Sequence, residues 1–126
     1  ALAGEEMFVY DNGKYIRDYI FITDVITALL YAVSGITRTN GGYYIISSGK
    51  GTTIREAFQM AIDLTAGYSK KKQELGSKSL PEGLSEIEIR NFIGNPAAFC
   101  EATNWSPQYS LEKGISQTVD SFLSAK

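Results

Sequence analysis

The sequence predicts an α/β chain, or an α+β chain when it is isolated, with short strands and about four helices. Short apolar runs at residues 7–10 and 43–46 lie beside Asn-Gly turns, as strands commonly do. Apolar side chains recur at helical spacing in three other segments, which begin near residues 25, 54 and 111. This alternation along 126 residues indicates one globular domain.

The N-terminal residues are predicted to form a hairpin. Asp11-Asn12-Gly13 supplies an Asn-Gly turn that would fold residues 7–10 back onto residues 15–22. Gly4 has the character of a residue that ends a helix whose body lies upstream. Because the first residue is also not Met, we expect this chain to be part of a longer protein.

A helix is predicted over residues 25–33. Thr23 or Asp24 would accept hydrogen bonds from its first free amides, and Gly35 would end it. Its surface is apolar nearly all round, so we expect burial on more than one side. The continuous apolar run at residues 43–46 is typical of a strand that is covered on both faces.

Three later helices and one strand have recognisable signals. Thr53 and Glu56 have the spacing of a capping box, which predicts a helix directly after Thr53. Residues 86–92 alternate charged and apolar side chains with period two, which predicts a strand. Two further helices are predicted, one after Asn95-Pro96 and one after Ser110, because these residues favour helix starts.

The segment Gly49-Lys50-Gly51-Thr52-Thr53 lies between a predicted strand and a predicted helix, where a phosphate-binding loop would lie. A Walker loop has Ser or Thr directly after its Lys, whereas Gly51 follows Lys50 here. A dinucleotide-binding loop needs a third glycine, and Ile54 stands in its place. We therefore predict a plain turn between a strand and a helix.

Composition excludes several classes of function. A net charge of -2 gives no general attraction to nucleic acid or to an anionic membrane, and no apolar run is long enough to span a bilayer. The lack of His removes Ser-His-Asp and Cys-His catalysis and argues against a zinc site. The single cysteine, Cys100, cannot form an internal disulfide. We expect a cytoplasmic protein without a bound metal.

Basic residues offer two candidate contacts for an anion. The only basic cluster consists of Lys70, Lys71, Lys72 and Lys78. We predict that this cluster is a solvated surface. Arg17 stands in a predicted strand just before a helix start, where its guanidinium could grip a diphosphate bidentately or pair with Asp18 or Asp24. The residues alone leave both roles of Arg17 open.

A series of motifs runs along nearly the whole chain. The N-terminal ones are Ala1-Leu2, Gly4-Glu5, Val9-Tyr10, Gly13, Arg17-Asp18-Tyr19-Ile20, Thr23-Asp24-Val25 and Ala28-Leu29. The later ones are residues 44–56, Asn104-Trp105-Ser106-Pro107 and residues 110–115. In content and order these motifs resemble those of extended short-chain dehydrogenases, the NAD-dependent epimerases and dehydratases that act on nucleotide sugars.

The resemblance implies that residues 1–126 form the C-terminal, substrate-binding domain of such an enzyme. An N-terminal Rossmann half, absent from this chain, would hold NAD or NADP and the catalytic Ser or Thr, Tyr and Lys. The chain alone is then expected to bind no cofactor, to contain no catalytic residue and to be inactive. Its expected partners are a nucleoside-diphosphate sugar, the missing half and, through uncovered apolar surface, a second copy of itself.

The resemblance also implies five site residues. Arg17 resembles the arginine that contacts the substrate diphosphate, and Val9 and Tyr10 resemble the segment beside the nucleobase. A second diphosphate arginine belongs to an "R-x-GD" motif, which reads Ser85-Glu86-Ile87-Glu88 here. Glu88 would replace the Asp of that motif. Arg90 lies two residues further on, so it would share the strand face of Glu88 and supply the lost charge.

Two functions fit these residues. The first is the substrate-binding part of an NAD(P)-dependent epimerase, dehydratase or reductase, classed as an isomerase, lyase or oxidoreductase. The second is a stand-alone or degenerate module that binds nucleotide sugars or another partner without catalysis. Two pairs, Tyr10 with Lys14 and Tyr68 with Lys72, have the catalytic Tyr-x-x-x-Lys spacing, but neither lies on a predicted helix, so we assign them no role.

Overall fold

The computed structural model describes residues 1–69 and 71–125 as a mixed fold of helices and short strands, as predicted. The strands are β1 (Met7–Tyr10), β2 (Ile16–Asp18), β3 (Gly51–Thr53) and β4 (Leu75–Lys78). The helices in the described part are α1 (Ile22–Ser34), α2 (Ile36–Thr39), α3 (Ile54–Thr65), α4 (Ala97–Thr103) and α5 (Leu111–Ser124). No helix within these residues is long and apolar enough to cross a membrane.

The strands form two separate pairs, and neither pair is the predicted hairpin. β1 runs parallel to β4, with Tyr10 opposite Lys78. β2 runs antiparallel to β3, with Arg17 opposite Thr52 and Asp18 opposite Gly51. β1 and β2, the two halves of the predicted hairpin, thus each pair with a strand more than thirty positions away along the chain.

The turn between β1 and β2 explains why they do not pair. The type I′ hairpin turn that Asn-Gly favours needs positive φ at its two central positions. Here three successive residues, Asp11, Asn12 and Gly13, have φ values of 45°, 60° and 66° and form a short 3-10 turn. Arg55 Nε donates to the Asn12 carbonyl at 2.8 Å, and Arg55 Nη2 donates to the Asn12 side chain. The turn therefore packs against the start of α3.

Helix α1 begins at Ile22, earlier than predicted, and neither Thr23 nor Asp24 caps it. The carboxylate of Asp24 is 1% exposed and accepts hydrogen bonds from the Gln108 amide at 2.9 Å and the Tyr109 amide at 3.0 Å. A buried carboxylate needs such donors, because an unpaired buried charge is costly. Gly35 ends the helix as predicted.

The core contains Ala28, Phe99 and Trp105, whose aromatic rings meet edge to face. Tyr44 and Ile46 pack against it, while Tyr43 and Ile45 are exposed, so residues 43–46 are an extended segment with one covered face rather than the predicted doubly covered strand. No neighbouring strand pairs with this segment among the described residues.

The outer face of α1 consists of large apolar side chains that are more than half exposed. These are Ile22, Ile26, Leu29, Leu30 and Val33. Burial of α1 on more than one side is therefore wrong for the described residues. The exposure itself follows from the apolar pattern, because a helix that is apolar all round needs more partners than this chain supplies.

The helix starts at Thr53 and Ser110 are confirmed. Thr53 Oγ1 accepts from the Glu56 amide at 3.1 Å, and Glu56 Oε2 accepts from the Thr53 amide at 2.9 Å, which completes the capping box. Ser110 Oγ accepts from the Lys113 amide at 3.2 Å. Before α4, Asn95 Oδ1 accepts from the Ala97 amide at 3.0 Å, but the N-cap residue is Pro96, so α4 lacks the predicted side-chain cap.

Residues 86–92 do not form the predicted strand. The Glu88 amide donates to the Ser85 carbonyl at 2.9 Å, and the Ile89 amide donates to the Glu86 carbonyl at 3.3 Å, so this part is a turn. Ile87 and Ile89 are exposed, because no sheet formed by the described residues lies beneath the alternating pattern.

The lysine cluster is described in part. Lys70 lies outside the described residues, whereas Lys71, Lys72 and Lys78 are exposed, as expected for a solvated surface. Lys72 forms an exposed ion pair with Glu74 at 3.6 Å. Such surface pairs contribute little to stability.

Candidate functional site

Strand β2 is the centre of the candidate site because it lies between two segments. On one side it pairs with β3. On the other side, the Ile16 amide donates to Asn91 Oδ1 at 2.9 Å, and the Ile16 carbonyl accepts from the Phe92 amide at 3.0 Å. Residues 88–94 therefore run beside β2, although they lack strand geometry.

Arg17 directs its guanidinium onto the backbone of residues 88–94. Its Nη1 donates to the Arg90 carbonyl at 2.5 Å and to the Ile16 carbonyl at 3.0 Å. Its Nη2 donates to the Glu88 carbonyl at 2.7 Å. An arginine carries five N-H donors. These three hydrogen bonds thus leave two donors of Arg17 without a partner among the described residues.

The pairing of Arg17 with Asp18 or Asp24, one of the two roles left open by the sequence, is not found. The Asp24 carboxylate is buried under two backbone amides, as described above. The Asp18 carboxylate likewise accepts backbone amides of other segments. Arg17 is positively charged and bound only to neutral carbonyls, so its charge is not neutralised by a carboxylate within the described residues.

The backbone amides of residues 48–50 donate hydrogen bonds to side chains of the chain itself. Asp18 Oδ1 accepts from the Ser48 amide at 2.9 Å and from Ser48 Oγ at 2.6 Å, and Asp18 Oδ2 accepts from the Gly49 amide at 3.0 Å. The Lys50 amide donates to Ser48 Oγ at 3.1 Å. Successive amides that point at an anion are how phosphate loops work. Because a carboxylate of the chain fills this position, the Ser48 and Gly49 amides are not free to bind a phosphate. The segment is not the predicted plain turn, however, since Gly51–Thr53 form β3, which leads directly into α3.

Val9 and Tyr10 lie in the other pair of strands and differ in exposure. Val9 is 2% exposed, whereas Tyr10 is 44% exposed. The Tyr10 ring meets Phe8 edge to face at 5.5 Å between centroids, and Lys78 Nζ lies 3.4 Å from the Phe8 centroid. Of the two sequence-predicted residues, only Tyr10 presents its side chain to solvent.

Glu88 and Arg90 do not share a strand face, which corrects the sequence prediction. Both belong to the turn region, and both side chains are exposed. Their contribution to the site is through their carbonyls, which bind Arg17. The structure thus brings Arg17, Glu88 and Arg90 together, while Val9 and Tyr10 lie on a separate sheet.

Tyr19 was not singled out from the sequence, although it adjoins this site. Burial raises the pKa of its hydroxyl above the usual range, and the nearby Arg17 guanidinium opposes that rise. The hydroxyl is therefore protonated at neutral pH and can donate a hydrogen bond. The available signal was its spacing, since a residue two positions after Arg17 in extended backbone lies on the same face.

Comparisons with known proteins cover nearly the whole chain. The family model described as GDP-mannose 4,6 dehydratase matches residues 1–118. UDP-N-acetyl-alpha-D-glucosaminuronate decarboxylase of Bacillus cytotoxicus is 29% identical over 122 residues, which are 97% of this chain and 37% of that protein.

Solved structures give the same picture. The crystal structure of UDP-glucose 4-epimerase from Thermotoga maritima with UDP-glucose matches with a TM-score of 0.79 and 31% identity, over 98% of this chain and 37% of that one. The structure of dTDP-glucose 4,6-dehydratase from Bacillus anthracis in complex with NAD has the same fold, with a TM-score of 0.68 and 22% identity, over 96% of this chain and 35% of that one.

The three relatives named above are much longer than this chain, which spans little more than a third of their length. Their names describe enzymes that transform nucleotide sugars. The predicted fold class agrees with theirs. Since the family model accounts for 118 of the 126 residues, the chain belongs to the GDP-mannose 4,6-dehydratase family, within the nucleotide-sugar epimerases and dehydratases of the extended short-chain dehydrogenases.

Proposed function

We propose that this chain is the part of an NAD(P)-dependent nucleoside-diphosphate-sugar epimerase, dehydratase or reductase that holds the nucleotide diphosphate of the substrate. The observation that carries the proposal is the state of Arg17. Its guanidinium is fixed by three backbone carbonyls, is not neutralised by a carboxylate of the described residues and retains two N-H donors.

A fixed guanidinium suits a diphosphate for two reasons. Charge-assisted hydrogen bonds from Arg to phosphate oxygens are stronger than neutral ones and are often bidentate. An arginine that is already held in place also loses less conformational entropy when it binds a ligand. Arg90, whose backbone carbonyl binds Arg17, has an exposed side chain that would add positive charge to this region, and the exposed Tyr10 ring offers a surface for a nucleobase.

Hydride and proton transfer would belong to the remainder of the full-length enzyme. Neither Tyr10 with Lys14 nor Tyr68 with Lys72 lies on a helix of the structure, so neither pair has the geometry of a catalytic Tyr-Lys pair. The apolar outer face of α1 supports the presence of another domain in the full-length enzyme, because exposed apolar patches of this kind mark interaction sites. We propose that this face packs against the half that holds NAD or NADP.

A titration separates the proposed role from that of a cofactor-binding domain. We expect the isolated chain to bind uridine, thymidine or guanosine diphosphate, with amide shifts in NMR spectra at residues 88–94 and near Arg17. NAD and NADP should give no micromolar binding in calorimetry. If NAD or NADP binds with micromolar affinity, or if no nucleoside diphosphate shifts these amides, the proposed division of labour is wrong.

A further inference from the structure

Asp18 lies at the meeting point of three segments that are far apart in the sequence. Its Oδ1 accepts from the Ser48 amide and the Ser48 hydroxyl, at 2.9 and 2.6 Å. Its Oδ2 accepts from the Gly49 amide at 3.0 Å and the Gly94 amide at 3.1 Å. A carboxylate has about four lone-pair positions. These four hydrogen bonds therefore saturate Asp18.

The two glycines show that the surrounding backbone is shaped for this carboxylate. Gly49 has a φ of +71°, which a residue with a side chain adopts only with strain. A Cβ atom on Gly94 would lie 2.5 Å from Cβ and Oγ of Ser47, so no side chain fits between these segments. The Gly49 amide thus reaches Asp18 from a backbone with positive φ, and the Gly94 amide reaches it from a backbone that lies close against Ser47.

Strand β2 binds residues 88–94 at both of their ends. Arg17 binds the carbonyls of Glu88 and Arg90, and Asp18 binds the amide of Gly94. The Arg17 guanidinium thus donates to carbonyls of residues 88–94, and the Asp18 carboxylate accepts from an amide of the same segment. Residues 88–94 are held at both ends by adjacent residues of β2, and the position of the Arg17 guanidinium depends on where these carbonyls lie.

We infer that Asp18 is a positioning residue for the diphosphate contact of Arg17, because it occupies an anion site formed by Ser48, Gly49 and Gly94 and so fixes residues 88–94 against β2. This inference rests on the proposed function for the ligand of Arg17. The anion site itself does not depend on the proposed function, because it is formed entirely by the chain's own groups.

A chemical consequence makes the inference testable. Asp18→Ala removes the carboxylate and leaves four hydrogen-bond donors around a vacated position, which a small carboxylate such as formate can fill. We expect Asp18→Ala to melt at a lower temperature than the wild type and to bind uridine diphosphate about tenfold more weakly at a temperature where both are folded. Formate should raise the melting temperature and restore much of the affinity.

Asp63→Ala is the matched control, because Asp63 is an exposed aspartate whose Oδ1 accepts only the Gln59 side chain. Formate should have no specific effect on this variant or on the wild type. Asp18→Asn should behave like Asp18→Ala without formate, since an amide group places N-H donors against the backbone amides. If Asp18→Ala does not fold, Ser48→Ala removes one of the four donors and should weaken nucleotide binding several-fold.

The outcomes distinguish the inference from the proposed function. Unchanged nucleotide affinity in Asp18→Ala, or in Ser48→Ala where Asp18→Ala does not fold, overturns the positioning role, and so does weakened affinity that formate fails to restore. A wild-type chain that binds no nucleoside diphosphate contradicts the proposed function, and the positioning role is lost with it. Even then, a formate-dependent rise in the melting temperature of Asp18→Ala would establish the anion site independently.

Discussion

The surroundings of β2 and the outer face of α1 are built in opposite ways. Around β2, Arg17 and Asp18 satisfy backbone groups of two irregular segments, residues 48–50 and 88–94, so most of the polar interactions are made within the chain. Along α1, Leu30 and Val33 are 63% and 72% exposed and contribute nothing to the core. The polar site is thus assembled by the chain itself, whereas the apolar face calls for a partner.

The largest effect on stability should come from the buried polar interior. Asp24→Ala leaves the Gln108 and Tyr109 amides without their acceptor and should lower the free energy of unfolding by about 2 to 4 kcal/mol. Leu30→Ala on the exposed face should change it by less than about 0.5 kcal/mol. Urea denaturation of both variants measures the difference. Equal losses would show that α1 is covered in the free chain.

A second effect concerns association rather than stability. The wild-type chain should self-associate at high concentration through the outer face of α1, because the exposed side chains form one continuous patch. Leu30→Lys with Val33→Lys should make it monomeric in analytical ultracentrifugation without loss of fold. Phe122→Lys, which removes an equally exposed apolar side chain on α5, serves as the control and should still associate. A strictly monomeric wild type would contradict this prediction.

The smallest effect should be seen in the capping box of α3. Hydrogen bonds from Thr53 lower the pKa of Glu56 below its usual value. A carboxyl group whose pKa is lowered by folding stabilises the protein above its unfolded pKa and loses this contribution as the pH falls through the folded pKa. Between about pH 5 and pH 3, the wild type should therefore lose more melting temperature than Glu56→Gln. Identical profiles would remove Glu56 from the pH dependence.

The sequence predictions were correct where hydrogen-bonded residues are close in the sequence and wrong where they are far apart. The caps at Thr53 and Ser110 were predicted correctly because each side chain and the amide it binds are three residues apart. Asp24 was assigned wrongly as a cap because the amides that it binds are 84 and 85 positions away. The strand at residues 86–92 failed for the same reason, since its carbonyls are taken by Arg17 on β2.

The candidate site was predictable to a similar extent. Motif resemblance singled out Arg17 as a candidate, and its predicted position on a strand was correct. The roles of Glu88 and Arg90 were not predictable, because they act through their carbonyls rather than through their side chains. In the sequence, Asp18 stood out as part of a motif and as a possible ion-pair partner of Arg17, but nothing local indicates that it binds Gly94, 76 positions away.

The central claim is that Arg17 holds the diphosphate of a nucleotide sugar, and the most direct test is the dissociation constant of the sugar nucleotide in the full-length enzyme. Arg17→Ala should weaken binding roughly tenfold to hundredfold, and Arg17→Lys should restore it only in part. NAD(P) binding should barely change. Arg38→Ala is the matched control, because Arg38 also donates to a backbone carbonyl, that of Ala102, at 2.7 Å. An unchanged dissociation constant in a folded Arg17→Ala enzyme would contradict the account.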